Sequence, residues 1–399
     1  MKKKISLRSV YLIIILLSLL ITLVTTTYLR LTNNEGIFFK DNLTTTFREK
    51  VYISNFISYI DGTLIDDYLV DTKEVGTKEL NINFKNKYGF IVSKSININV
   101  LDITPPTVVV NNPYTVKLGS KINLEEEIFC ADDYDDIVSC NIIGDYDLER
   151  VGKYNLEIKA TDKSGNSTSK NFTLNVVDKI NNSSSKSNNS YTSFKEVYKK
   201  YKNENTLVGL DISKWQGNVD YKKIKEEGVD FVVLKLGGQT KIDGEYKIDP
   251  KFYQNIEGAL NNDIKVGVYF YSYAKSVEDA IKQANFIVDT LEDKKIDLPI
   301  FFDWENWISY TKFHISFNTL NKIASSFINR VEELGYKGVL YSSKYYLENI
   351  WYKDDYTNWI AYYTNNFNEY KDYYMWQMCS NGKINGIDGY VDIDIMNIR

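Results

Sequence analysis

Apolar positions along the chain follow three rhythms, and each predicts a different kind of element. From Ser9 to Leu29 the sequence runs 21 residues without a charge, including the unbroken apolar stretch Tyr11–Leu17. A helix rises about 1.5 Å per residue, so this run covers the ~30 Å hydrocarbon layer of a bilayer. Farther on the rhythm becomes alternation, as in Leu156-Glu-Ile158-Lys-Ala160 and Phe172-Thr-Leu174-Asn-Val176, the pattern of half-buried strands. Lys163-Ser164-Gly165-Asn166 supplies the turn between them. From Leu207 onward short apolar runs alternate with amphipathic stretches. The strand-like runs are Leu207–Ile212, Phe231–Leu236, Lys265–Tyr271, Leu298–Phe302, Gly338–Tyr341, Trp359–Tyr362 and Tyr374–Gln377, and helical patterns include Val277–Leu291 and Phe317–Leu334. Strands alternating with helices predict a parallel sheet, and 193 residues of this texture predict a short βα barrel.

Charge orients the first element. Lys2, Lys3, Lys4 and Arg8 precede the apolar run, and positive charge is retained on the cytoplasmic side. A cleaved signal peptide has an apolar core of about 7–15 residues and a small-x-small cleavage site, which Thr25-Thr26-Thr27-Tyr28 does not offer. Residues 1–30 therefore read as a basic cytoplasmic tail and an uncleaved single-pass anchor, with the C-terminal part extracellular.

The alternating region contains an internal repeat. Val75, Gly76, Leu80, Ile82, Gly89 and Val100 recur as Val151, Gly152, Leu156, Ile158, Gly165 and Val176, at a constant offset of 76 residues. A gapless repeat of that size predicts two copies of one small β-sandwich, residues 31–103 and 104–178. Cys130 and Cys140 lie ten apart in the second copy and are a candidate disulfide, which an exterior location permits. The acidic run Asp132, Asp133, Asp135, Asp136 lacks the spacing of an EF-hand and reads as a solvated loop. The Ser/Asn-rich stretch Asn181–Ser190 reads as flexible, within a linker of residues 179–206. Phe194, Val197 and Tyr201 at helical spacing predict a short lead-in helix there. The remainder, 207–399, is the catalytic candidate.

Composition narrows the chemistry. A net charge of −5 argues against nucleic acid as a partner. One histidine, His314, and three cysteines leave no material for a Cys/His zinc cluster, so no metal is expected. Phosphate-loop and dinucleotide fingerprints are missing from the sequence, so no nucleotide cofactor is expected either. Chemistry falls to carboxylates, and these sit at predicted strand ends: Asp211, Asp303, Glu305 and Asp392. Asp303 and Glu305, two apart, share one face of a strand, with Trp304 on the other. Two carboxyls this close cannot both ionise freely, so one is held protonated, as protonation of a glycosidic oxygen requires. Tyrosine is abundant, 32 residues, and its flat face with a polar tip suits sugars. Trp215, Tyr269, Tyr271, Trp307, Tyr341, Tyr362 and Trp376 crowd the same strand ends as substrate-stacking candidates.

Two resemblances add to this reading. The ending V-G-K-Y-N-L…A-T-D-K-S-G-N of the second copy resembles bacterial immunoglobulin-like repeats, which implies a spacer or adhesive role; the first copy is degenerate. Residues 207–399 resemble glycoside hydrolase family 25 lysozymes, the N-acetylmuramidase type. The matching motifs are G-L-D-I-S-K-W-Q-G, D-P-K-F-Y-Q-N, V-G-V-Y-F-Y-S-Y-A, F-F-D-W-E, W-I-A-Y-Y, M-W-Q and V-D-I-D. That resemblance implies an irregular (β/α)5(β)3 TIM-like barrel and cleavage of the β-1,4 bond between N-acetylmuramic acid and N-acetylglucosamine in peptidoglycan. It implies Glu305 as proton donor, with Asp211, Asp303 and Asp392 lining the pocket; Asp394 ranks below Asp392, as a peripheral residue. Where relatives often carry Y-H-F, this chain has Tyr269-Phe270-Tyr271 and lacks that histidine. The expected route is retaining and assisted by the substrate's acetamido group, with inversion as the alternative. The competing class, a non-catalytic glycan-binding surface protein, has no use for Glu305.

Overall fold

The computed structural model describes residues 7–32, 36–180, 191–292, 294–305 and 314–398. The Ser/Asn-rich stretch Asn181–Ser190 and Trp307 lie outside the described residues. The chain divides into two compact units, Met1–Thr104 and Pro105–Arg399.

The first unit opens with helix α1 (Leu7–Thr32). Its segment Val10–Leu29, 20 residues of mean hydropathy 2.5, is long and apolar enough to cross a membrane. Ser18, Thr22, Thr25, Thr26 and Thr27 donate their hydroxyls to carbonyls three or four residues back, so the helix satisfies its own polar side chains. Behind it, Gly76–Asn86 and Ile91–Leu101 form a long antiparallel hairpin, and Thr44–Thr46 lies parallel to the second strand. Leu80, Ile82, Phe84, Ile98 and Val100 alternate inward into its core.

The second unit repeats that plan at its start. Gly152–Thr161 and Ser167–Val177 form the hairpin, and Tyr114–Lys117 runs parallel to the second strand. Leu156, Ile158 and Val176 are buried like their counterparts Leu80, Ile82 and Val100, so the sequence repeat is also a repeat of topology and burial. Cys130 and Cys140 are joined by a disulfide.

The acidic run inside that disulfide loop is not the solvated loop its composition predicts. Asp132 is 1% exposed, and its carboxylate accepts from the backbone N–H groups of Tyr134 and Asp135. Asp135 accepts from the N–H groups of Lys163 and Ser164. Asp136 reaches a different part of the unit altogether, as described below.

The rest of the second unit is a closed barrel. Thr192–Ser193 and helix α2 (Phe194–Tyr201) lead in, burying Phe194, Val197 and Tyr201 against it. This domain therefore begins before residue 207: Thr192 pairs with Gly382 inside the barrel sheet. The staves are β1 (Thr206–Ile212), β2 (Phe231–Gln239), β3 (Lys265–Tyr271), β4 (Ile300–Asp303), β5 (Gly338–Ser343), β6 (Asn358–Ala361), β7 (Met375–Lys383) and β8 (Val391–Asn397). Helices α3 (Tyr221–Glu226), α4 (Phe252–Leu260), α5 (Val277–Leu291), α6 (Phe317–Glu333) and α7 (Lys344–Asn349) follow β1 to β5 in turn. Strands β1 to β7 are parallel, and β8 closes the ring antiparallel to both β7 and β1. Among the described residues, five strand–helix pairs followed by three strands is the predicted order.

Residues alternate across this wall. Phe231, Val233, Phe301, Val339, Trp359, Met375 and Met396 fill the barrel interior, while Val232, Leu234, Phe302, Leu340 and Ile360 face the outer layer. The interior is thus plugged by side chains, and an open cavity is left at the C-terminal ends of the parallel strands.

Candidate functional site

The acids gather at that end because of strand direction. Asp211 lies near the end of β1 and Asp303 ends β4. Asp392 joins them because β8 runs the opposite way: its first residues sit beside the last ones of β1, with Asp211 directly opposite Asp392. Glu305 follows β4 and is exposed, whereas Asp303 is 2% exposed. Trp304, between them, turns outward and is fully buried against Trp351, as the two-residue period requires. The four acids, Lys235, Ser213, Tyr269, Tyr271, Tyr341 and Gln377 line one cavity of about 290 Å³.

Gln377 organises the wall. Its Nε2 donates to Asp211 Oδ2 (3.3 Å) and Asp392 Oδ2 (3.4 Å), and its Oε1 accepts from the hydroxyls of Tyr341 (2.9 Å) and Tyr363 (3.0 Å). Amide orientation is therefore fixed by four partners. Lys235 Nζ lies 5.6 Å from the ring centre of Tyr269 and 5.0 Å from that of Tyr271, bringing a cation into the acidic cavity.

Burial sets the ionisation of the acids. Asp303 is held well above the usual carboxylate range by desolvation, then by the charge of Glu305 and a hydrogen bond to it; Lys235 opposes this. Asp211 is raised by desolvation and then by Asp392. Asp392 is pushed up to about 6, again by desolvation first and then by Glu305. The proton expected on the Asp303–Glu305 pair is thus favoured by the buried aspartate.

Aromatic candidates separate by which way they face. Trp215 is 78% exposed at the cavity rim, on the turn Lys214–Gln216. Ser213 caps that turn, Gly217 ends it at φ +67°, and Asp249 accepts from the Lys214 N–H, so an exposed indole is held in place. Tyr269, Tyr271 and Tyr341 line the acid cavity. Tyr362 lines a neighbouring cleft of about 540 Å³ with Tyr345 and Tyr346; its neighbour Tyr363 lines both that cleft and the acid cavity. Trp376 is a correction. It is fully buried, packed against Tyr201, Phe367 and Tyr370, with its Nε1 donating to the Tyr362 carbonyl, so it has no face to offer a sugar. Its neighbour Gln377 takes the inward position. Asp394 is also not peripheral: it is fully buried one pleat below Asp392 and accepts from Trp359 Nε1 (3.0 Å). Trp376→Ala is expected to cost about 3–5 kcal/mol of stability, whereas Trp215→Ala should change stability by no more than about 0.5 kcal/mol while weakening glycan binding. Denaturant unfolding and a glycan pull-down read the two effects separately.

As for metal ligands, Asp132, Asp135 and Asp162 of the β module place one carboxylate oxygen each within 4.8 Å of one another. Backbone N–H groups, including that of Asn166 on Asp162, already partner these acids.

Residues 210–387 match the model of glycosyl hydrolases family 25. The C-terminal barrel is a family 25 glycosyl hydrolase domain. The autolytic lysozyme of Clostridium acetobutylicum is 32% identical over 192 residues, which cover 47% of this chain and 55% of that protein. The uncharacterized protein YegX of Escherichia coli K12 is 27% identical over 197 residues, 48% of this chain and 70% of that protein. Among solved structures, the modular autolysin LytC of Streptococcus pneumoniae, described in complex with a synthetic peptidoglycan ligand, is 25% identical; 60% of this chain and 56% of that one are covered, at a TM-score of 0.43. The bacterial lysozyme of Streptomyces coelicolor is 20% identical, covering 49% of this chain and 94% of that one, at a TM-score of 0.40. Within the family 25 domain, the site residues that sequence reasoning passed over include Lys235, Gln377 and Tyr363. Each is a polar residue in or just beyond an apolar run, a signal that marks an inward-facing position once the strands close into a barrel.

Proposed function

We propose that the protein is a membrane-anchored peptidoglycan hydrolase cleaving the β-1,4 bond between N-acetylmuramic acid and N-acetylglucosamine. The observation that carries this reading is the convergence of Asp211, Asp303, Glu305 and Asp392 on one cavity, with Glu305 exposed at its mouth, in a family 25 domain. Burial and then the neighbouring charge of Glu305 hold the Asp303 carboxyl well above the usual carboxylate range, so the two acids together retain a proton. Glu305 is the member that reaches the cleft, so it delivers the proton to the glycosidic oxygen as that bond breaks. Asp303 Oδ1, buried and without a hydrogen-bond partner among the described residues, is suited to accept the N–H of the substrate's 2-acetamido group. That contact aligns the acetamido oxygen to attack the anomeric carbon while the leaving sugar departs. Water then opens the cyclic intermediate and the proton returns to the pair. Asp211 and Asp392, oriented by Gln377, bond the sugar hydroxyls, and Trp215 stacks on an adjoining ring.

The apolar segment Val10–Leu29 supports anchoring in the cell membrane, with the β modules and barrel outside. The test of the reaction is digestion of purified peptidoglycan with product analysis by mass spectrometry and NMR. Fragments ending in reducing N-acetylmuramic acid, released first as the β-anomer, are expected. Reducing N-acetylglucosamine ends would overturn the bond assignment, and first release of the α-anomer would overturn the retaining route.

A further inference from the structure

Among the described residues, the second β module meets the barrel at the start of α6. Asp136 Oδ1 accepts from the backbone N–H of Ser316 (2.8 Å), the Ser316 hydroxyl (2.9 Å) and the Thr319 hydroxyl (2.7 Å). Ser316 is the N-cap of α6, so a carboxylate from the module sits at the positive end of a 17-residue barrel helix. The next two N–H groups of that helix go to the same loop: Phe317 donates to the Asp132 carbonyl and Asn318 to the Asp133 carbonyl, both at 2.9 Å. The Tyr352 hydroxyl donates to the Asp133 carbonyl as well. Phe129 and Ala131 of the module belong to the same apolar cluster as Ile315, Phe317 and Leu320 of the barrel. The disulfide Cys130–Cys140 closes the loop that makes these hydrogen bonds.

This contact leads to the catalytic strand through packed groups. Asn321 of α6 binds the Tyr352 N–H and the Ile350 carbonyl, holding the segment Ile350–Tyr352. Trp351 in that segment packs edge-on against Trp304, with ring centres 6.0 Å apart, and donates to Ser342 Oγ. Trp304 is the residue between Asp303 and Glu305.

We propose that the second β module is a working part of the catalytic unit rather than a passive spacer, with Asp136 as a positioning residue. By fixing the start of α6 and the seat of Trp351, it holds Trp304 and so aims Asp303 and Glu305. This rests on the hydrolase reading for its activity arm only. In the full chain, Asp136→Ala removes the acceptor of three hydrogen bonds, and Asp136→Asn keeps an acceptor oxygen. Asp136→Ala is expected to lower kcat on peptidoglycan about tenfold or more through a small misplacement of the acid pair, with KM nearly unchanged. Asp136→Asn is expected to recover most of the loss. Hydrogen exchange needs no activity: amides of residues 300–305 and 346–352 should exchange faster in Asp136→Ala than in the parent chain. If Asp136→Ala does not fold, the barrel-side pair Thr319→Val with Tyr352→Phe carries the same test, with a smaller change in the same direction. Unchanged exchange at residues 300–305 overturns the proposal, as does a loss of activity that merely follows the fraction unfolded. An inactive parent chain that still shows the exchange difference counts against the hydrolase reading and supports the positioning role.

Discussion

Glu305→Gln is expected to slow cleavage of unactivated peptidoglycan at least ~100-fold while leaving the fold and glycan binding intact. Glutamine keeps the shape and the hydrogen-bonding reach of the side chain but cannot donate a proton. Loss of a general acid typically costs 10²–10⁴-fold, about 3–5 kcal/mol of barrier. Glu305 is exposed, so substitution leaves no buried group unpaired. Asp303→Asn should produce a loss of similar size for a different reason: the amide keeps an oxygen for the acetamido N–H but removes the buried carboxyl that holds the proton beside Glu305. Muropeptide release by both variants, measured beside circular dichroism, checks the pair. A folded Glu305→Gln protein with near-normal turnover would force the enzyme reading to be given up.

Asp392→Asn is expected to stabilise the barrel at neutral pH while impairing it as an enzyme. Asp392 is pushed from an ordinary value of 3.8 up to about 6, chiefly by desolvation. A carboxyl with a higher pKa in the folded than in the unfolded state binds its proton more tightly when folded. Its stabilising contribution is therefore fully present below the unfolded value and is lost as pH rises through the folded one. Between about pH 4 and 6 the unfolded chain ionises while the folded site resists, so stability falls across that window. At pH 7 the accumulated cost is of order 2–3 kcal/mol for this one group. Asn cannot ionise and still accepts from Gln377, so it removes the cost, at the expense of the acid that faces the substrate. Denaturant midpoints at pH 4, 6 and 7 for both proteins check this. A parent chain that gains stability from pH 4 to 7, with no gain from Asp392→Asn, would contradict the burial of this cluster.

The acids were legible in the sequence because each ends or follows an apolar run, and strand ends in a βα barrel converge on one face. The barrel's order was legible for the same reason: Val277–Leu291 forms a helix over the predicted residues. What escaped depends on closure. Whether Trp376 or Gln377 faces the cavity is a matter of strand sidedness, and both faces of a barrel strand are buried, so hydrophobicity does not distinguish them. The acidic run was misread because the partner of Asp136, Ser316, is 180 residues away in sequence. A charged loop looks solvated until its distant donors are known.

The antiparallel closing strand has a consequence for how the molecule is made. Asp211 and Asp392 are direct neighbours across β1 and β8, yet nearly the whole barrel lies between them along the chain. During synthesis β1 emerges early and waits, with an open edge, until β8 is complete. A nascent chain that has not yet produced β8 has no sealed barrel, no Gln377 bridge between two acids and no assembled cavity. Contacts of such long sequence separation also form late in folding, because loop closure must be offset before they contribute. The proposed hydrolase activity would thus appear only when β8 locks into place.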